Sequence, residues 1–215
     1  MDKLFSLDER LLKCASLVPD GSRLVDVGSD HAYLPVWLLK NGKIPFAIAS
    51  DINEKPLESG RATAEKYGAK DIEFRLGAGL ETVGEDDRLD CAVIAGMGGE
   101  VISLILEGSP LSKKLDLVLQ PMTKSEELVK YLCENGFELK MQSCVFCRGK
   151  YYTVIKARFD GEKREYEESF LYAGRLDLSD EACRGFLKNH IKNLKNKSRG
   201  DKSLLPLIEE LENML

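Results

Sequence analysis

The sequence predicts an α/β protein: a mostly parallel sheet that closes on an antiparallel hairpin, followed by a helical tail. Three patterns carry that expectation. From Leu24 to Gly136, short apolar runs alternate with amphipathic helical stretches, as strands joined by crossover helices do. Two further strand-like runs, 137–146 and 151–159, are separated only by Cys147-Arg-Gly-Lys150, too short a link for a crossover, so they pair as a hairpin. Beyond Phe159 strand patterning stops and helical apolar stripes take over. The expected division is a sheet domain over residues 1–159 and a helical, coiled-coil-like hairpin domain over residues 160–215.

In chain order, Leu4, Leu7, Leu11, Leu12, Ala15 and Val18 recur at helical spacing and predict an opening helix, broken by Pro19-Asp-Gly21. RLVDV (23–27) is a buried strand ending at Gly28, with a helix from about Leu34 to Lys40. FAIAS (46–50) is the second strand, and the helix after it is closed by Gly68. The third strand spans 72–76 and the fourth 89–95, the latter followed by Gly96-Met-Gly-Gly99 and a helix over 100–106. A fifth strand over 115–119 is expected to stop before Pro121, which cannot donate to a sheet ladder. A helix over 124–134 precedes the hairpin. In the tail, stripes over 182–194 and 204–215 predict two packed helices, with a shorter one around 166–176.

Composition narrows the function classes. Hydrophobic residues at 43% and charged residues at 31% describe a globular chain. The most apolar window, Leu89 to Leu106, is interrupted by Asp90 and Glu100 and falls short of a membrane span. MDKLFSLDER carries charges where a secretory signal needs an apolar core, so a cytoplasmic protein is expected. Six cysteines in such a setting read as free thiols. The Cys144-Val-Phe-Cys147 pair lacks the second pair or nearby histidines of a zinc site, so packing is the simpler reading and no metal is expected.

The unusual residues gather at the carboxyl ends of the expected strands, where open α/β sheets bind ligands. The first end reads Asp26-Val-Gly28-Ser29-Asp30-His31-Ala-Tyr33. Gly28 permits close approach of the backbone, but Asp30 stands where a dinucleotide fingerprint needs a glycine. An acid there repels a pyrophosphate and suits a cationic ligand. S-adenosylmethionine has no phosphate and carries a sulfonium and an amino group. Asp51, with Ile52 and Asn53, ends the second strand about 23–25 residues past the first loop, where a carboxylate accepts from ribose hydroxyls; an ordinary N-cap would look the same. Gly77-Ala78-Gly79 ends the third strand, and Ala95-Gly96-Met97 and Gln120-Pro-Met122 end the fourth and fifth, flanking a reacting centre. An NAD-dependent oxidoreductase is disfavoured by the missing fingerprint and by the terminal hairpin, which suits a Rossmann-like class I methyltransferase sheet.

DVGSDHAYLP (26–35), IAGMGG (94–99) and LQPM (119–122), in that order and spacing, resemble the TrmK family of bacterial tRNA (adenine-N1)-methyltransferases, which act on adenosine 22 of the D-arm. The resemblance spans essentially the whole chain. It implies an S-adenosylmethionine cofactor, a tRNA partner and a Rossmann-like domain followed by a helical one. It places Asp26, Gly28, Ser29 and Asp30 around the methionine end of the cofactor, Asp51 at the ribose, Ile52 and Asn53 at the adenosine, and Gly77, Ala78 and Gly79 at the adenine edge. Ala95, Gly96 and Met97 would line the cofactor beside the target base, with Asp30, His31 and Tyr33 as the catalytic neighbourhood. One departure stands out. The family often has Gly-Asp-Gly-Leu-Glu where this chain has Gly77-Ala-Gly-Leu-Glu81, so an acceptor for the cofactor's amino group is lost, worth about 1 kcal/mol.

The net charge of −5 speaks against a uniformly basic nucleic-acid binder. The charge is unevenly spread, however. Residues 184–202 carry Arg184, Lys188, Lys192, Lys195, Lys197, Arg199 and Lys202 against Asp201 alone. Lys188, Lys192 and Lys195 recur at i, i+4, i+7 and share one helix face, the best phosphate-contacting candidate in the chain. An ordinary solvated face, or one paired with the acidic flanks, would look alike. The expectation is therefore a monomeric tRNA methyltransferase with no membrane association. The alternatives are a methyltransferase for a small molecule or protein, which needs no basic helix, and a cofactor-binding module without catalysis.

Overall fold

The computed structural model describes residues 4–215. The first helix starts later than the apolar spacing suggests. Asp8 caps α1 (Glu9–Leu17), its carboxylate accepting from the Leu11 amide at 2.9 Å, so Leu4 to Leu7 lie outside the helix. The chain continues through β1 (Arg23–Val27), α2 (Tyr33–Lys40), β2 (Phe46–Asp51), α3 (Glu54–Tyr67), β3 (Ile72–Leu76), β4 (Cys91–Gly98), α4 (Gly99–Glu107), β5 (Asp116–Thr123), α5 (Ser125–Glu134), β6 (Phe137–Cys147) and β7 (Lys150–Phe159). The tail is α6 (Glu168–Ala173), α7 (Glu181–Lys197) and α8 (Leu205–Asn213).

Seven strands form one sheet in the order β3-β2-β1-β4-β5-β7-β6. The first five are parallel, and β7 runs antiparallel to both β5 and β6. Neighbouring residues of the central strands point to opposite faces, and both faces are covered, which is why these strands are apolar throughout. Val25, Ile48, Ile94 and Leu117 pack against Ile102 and Leu106 of α4 and Leu128 and Leu132 of α5. Leu24, Ala47, Val93 and Val118 pack against Cys14 and Ala15 of α1 and Leu34 and Leu38 of α2.

β5 does not stop before Pro121. It continues to Thr123, with Pro121 opposite Met97 of β4 at a point where the register shifts on both sides of Met97. A bulge tolerates a residue without an amide proton, so the proline marks an irregularity in the strand rather than its end.

The tail helices enclose a core of their own, formed by Leu187, Ile191 and Leu194 of α7 with Leu207, Ile208 and Leu211 of α8. Cys183 and Phe186 dock this unit on the hairpin, against Cys144 and Tyr151. Contact is close enough that a Cβ on Gly185 would lie 2.3 Å from the Tyr151 ring. Gln142 of β6 adds a polar tie, accepting from the Arg175 amide at 2.9 Å.

All six cysteines are buried free thiols. Cys144 meets Cys183 of α7, whereas Cys147 meets Glu9 of α1, so the CxxC pair points into two different contacts. Among the described residues, no group of three His, Cys, Asp or Glu side chains is placed to hold a metal, and no helix is long and apolar enough to cross a membrane.

Candidate active site

The loop after β1 is pinned from below. The amides of Gly28 and Ser29 both donate to Ser50 O at the end of β2, at 2.8 and 3.0 Å. Gly28 has φ +72°, a conformation that favours glycine, and a Cβ there would lie 2.1 Å from Met97 Cε and push that side chain aside. Asp26 is buried beneath this turn and accepts from Ser29 Oγ at 2.5 Å. Burial pushes its carboxyl up to about 6, a rise that the Ser29 hydrogen bond only partly opposes.

Of the next four residues, Asp30, His31 and Tyr33 turn outward and Ala32 is buried. Asp30 exposes 75% of its side chain, and its carboxylate lies 3.5 Å from His31 Nε2. His31 and Ala32 both hold positive φ, +58° and +52°, which is costly for residues with a Cβ. The reward is position: Tyr33, first residue of α2, stacks on His31 with ring centres 5.2 Å apart and also meets Phe5 at 5.0 Å. Asp30, His31 and Tyr33 thus share one rigidly held turn with a solvent-facing carboxylate.

At the end of β2, Asp51 Oδ1 accepts from the Asn53 amide at 2.8 Å and Asp51 O accepts from the Gly77 amide at 2.9 Å. This brings the Gly77–Gly79 turn beside Asp51. Ile52 leaves 67% of its surface in solvent, an apolar side chain set at a polar edge. Ala78, exposed, offers no side-chain acceptor in that turn.

The β4 end is held by Gln120 of the fifth strand-end motif and by Arg10, which the sequence did not single out. Gln120 is fully buried, and its Oε1 accepts from the Gly96 amide at 3.1 Å and from Arg10 Nη1 at 2.7 Å. Arg10 lies on α1, 110 positions from Gln120. No local pattern could have announced that contact. Gly99 has a different role in its motif: a Cβ would lie 2.1 Å from Lys124 O, so the start of α4 packs directly on the chain entering α5.

The tail's cations are not equivalent. Arg184 Nη1 donates to the carbonyls of Leu178 and Ser179, at 2.8 and 3.0 Å, and Lys195 pairs with Glu212 of α8 at 2.5 Å. Lys188, Lys192, Lys197 and Arg199 are exposed and have no ion pair among the described residues. A second stripe, Asn189, Asn193 and Asn196, lines a cavity against the sheet domain. Its i, i+4, i+7 spacing was visible, but which helix face turns toward the sheet is decided by docking.

The side-chain-free turn at Gly28, the apolar Ile52 beside Asp51, and the buried Ser50 hydroxyl, which has no hydrogen-bond partner among the described residues, fit an adenosine ligand without a phosphate. An antiparallel β7 inserted between β5 and β6 is the sheet of a Rossmann-like methyltransferase. Residues 7–155 match the family described as methyltransferase domain, and the protein is a member of that class. The match narrows further. The chain is 34% identical over 196 residues to the tRNA (adenine(22)-N(1))-methyltransferase of Bacillus subtilis, covering 88% of this chain and 82% of that protein. It therefore belongs to the tRNA (adenine(22)-N(1))-methyltransferase family. The crystal structure of B. subtilis TrmK superposes with a TM-score of 0.82 at 26% identity, covering 99% of this chain and 96% of that one. Mycoplasma capricolum TrmK, solved with S-adenosylhomocysteine, gives 0.78 at 26% identity, covering 99% and 95%.

Proposed function

We propose that the protein uses S-adenosylmethionine to methylate N1 of adenosine 22 in the D-arm of tRNA, in the cytoplasm. Residues 1–159 bind the cofactor and carry the chemistry, and residues 160–215 help hold the RNA. The observation that carries this reading is the outward carboxylate of Asp30 on a pinned turn beside the glycine cradle of Gly28.

When bound, S-adenosylmethionine supplies a methyl group on a positively charged sulfur. The chain's own residues must hold the partners and exclude water. Asp26, Gly28 and Ser29 surround the methionine end, and the burial of Asp26 makes its carboxylate a good counter-charge for a cation. Asp51 accepts from the ribose hydroxyls, while Ile52, Asn53 and the Gly77–Gly79 turn hold the adenosine. Ala95, Gly96 and Met97 wall the place of the target base, kept in position by Gln120 and Arg10. Adenine N1 lies on the pairing edge, so the nucleotide must be opened before it reaches this wall. Methylation leaves positive charge on the adenine ring. Asp30 stabilises that charge and accepts a proton from N6. His31 and Tyr33 position Asp30 and stack near the base.

The decisive experiment supplies labelled S-adenosylmethionine and unmodified tRNA, then maps the methylated nucleoside. N1-methyladenosine at position 22 is expected. Asp30→Ala is expected to lower turnover at least a hundredfold, the usual scale for a positioned acid–base group, a loss that saturating cofactor does not restore. Near-normal turnover by that variant would remove Asp30 from the chemistry. Methyl transfer to a small molecule or protein, but not to tRNA, would overturn the substrate.

A further inference from the structure

Between the end of β5, the hairpin and α7 lies a cavity of about 440 Å³, within the range of small-ligand sites. Thr123 comes from the end of β5, Glu126 from α5, Tyr152 from the hairpin, and Asn189, His190 and Asn193 from α7. Register fixes its location. Pro121, which also lines it, lies opposite Met97, so its wall is one strand from the place assigned to the target base, about 5 Å.

The interior is polar without being cationic. Glu126 Oε2 is buried with no hydrogen-bond partner among the described residues. His190 Nε2 lies 3.3 Å from Ser125 Oγ, and burial pushes its imidazole below the ordinary value, opposed by Glu126 and assisted by Lys197. A phosphate entering here would face the Glu126 carboxylate. A planar heterocycle bearing amino or ring N–H groups would instead satisfy that orphan acceptor. Asparagine amides can donate or accept at its other edge, and tyrosines offer faces for stacking. Cations stand at the rim: the exposed Lys197 and the exposed Lys124, which pairs with Glu100, border the cavity, and Lys188 and Lys192 occupy the helix face roughly a third of a turn away. A base inside with its phosphates outside matches this distribution of charge.

We propose that this cavity receives a second, unpaired nucleobase of the RNA substrate, one that presents an amino donor to Glu126, next to the nucleotide that is methylated. The inference rests on the reading of the protein as a tRNA methyltransferase and adds a subsite to it. The site lies between the two parts of the chain and requires both.

The test measures tRNA binding by filter retention, S-adenosylmethionine binding by calorimetry, and turnover on unmodified tRNA. The variants are Asn193→Ala, Tyr152→Ala, Tyr152→Phe and Glu126→Gln. Asn193 is exposed on a helix, where alanine favours the fold, so a loss of binding there cannot be ascribed to unfolding. Asn193→Ala, Tyr152→Ala and Glu126→Gln are each expected to weaken tRNA binding about tenfold. Tyr152→Phe is expected to keep it, and cofactor affinity is expected to stay within twofold throughout. tRNA binding within twofold of the parent for all three weakening variants would overturn the subsite while leaving the enzyme assignment intact. A parent protein that binds cofactor but neither binds nor methylates tRNA would overturn both.

Discussion

Asp26 shows how one buried carboxyl couples the site to stability. Its folded-state value of about 6 lies above the ordinary 3.8 because burial disfavours the charged form. Between those two values the folded protein holds a proton that the unfolded chain has released. Stability therefore falls as pH rises from about 4 to about 6, by roughly 3 kcal/mol in all, and stays at the lower level above that. Asp26→Asn keeps an acceptor for Ser29 and has no proton to lose. Denaturant midpoints of the cofactor-free proteins should converge near pH 4 and diverge above pH 6, with the variant the more stable; parallel curves would place the titration elsewhere. Much of this residue-scale chemistry could be read from the sequence. Gly28, Asp30, Asp51 and Gly96 stand out because backbone freedom and acidity at a strand end are local properties. Gln120 was legible as part of a strand-end motif, but Arg10 was not, because its importance comes from a contact between segments that are distant in the chain.

At the scale of elements, Gly185 separates helix propensity from docking. In an isolated helix, alanine there would gain about 1 kcal/mol over glycine. In this protein the new Cβ would lie 2.3 Å from the Tyr151 ring, so α7 must move off the hairpin. Gly185→Ala is thus expected to destabilise by about 1–3 kcal/mol, and Tyr151→Val in the same chain to recover part of the loss. A double-mutant cycle by urea denaturation checks this; strictly additive effects would argue against the contact. Elements were legible where periodicity is strong, as in the five parallel strands and α7. They were misread where one residue overrides the pattern. Asp8 delays α1, and a bulge carries β5 past Pro121.

On the scale of the whole molecule, the net charge of −5 conceals a division of labour. Lys188 and Lys192 are exposed, whereas Lys195 is engaged with Glu212. Reversing Lys188 and Lys192 together should weaken tRNA binding and lower its salt-dependence slope by about 1 per lysine. Reversing Lys195 should instead loosen the α7–α8 pair, read as a lower melting temperature with little change in slope. Equal slopes for the double reversal and the Lys195 reversal would reject the assignment of this face to RNA.

The strand order also has a consequence for synthesis. β5 finds its outer neighbour in β7, which is made after β6, and α1 packs against Val118 of β5 and Val154 of β7. While the ribosome adds the 36 residues from Lys124 to the end of β7 at Phe159, a matter of about 2–7 seconds, the nascent chain has a complete β5 with an unpaired edge and a first helix lacking part of its seat. The hairpin closes both at once. The last strand of the sheet to be synthesised is therefore the one that protects the emerging protein from joining its edge to another chain.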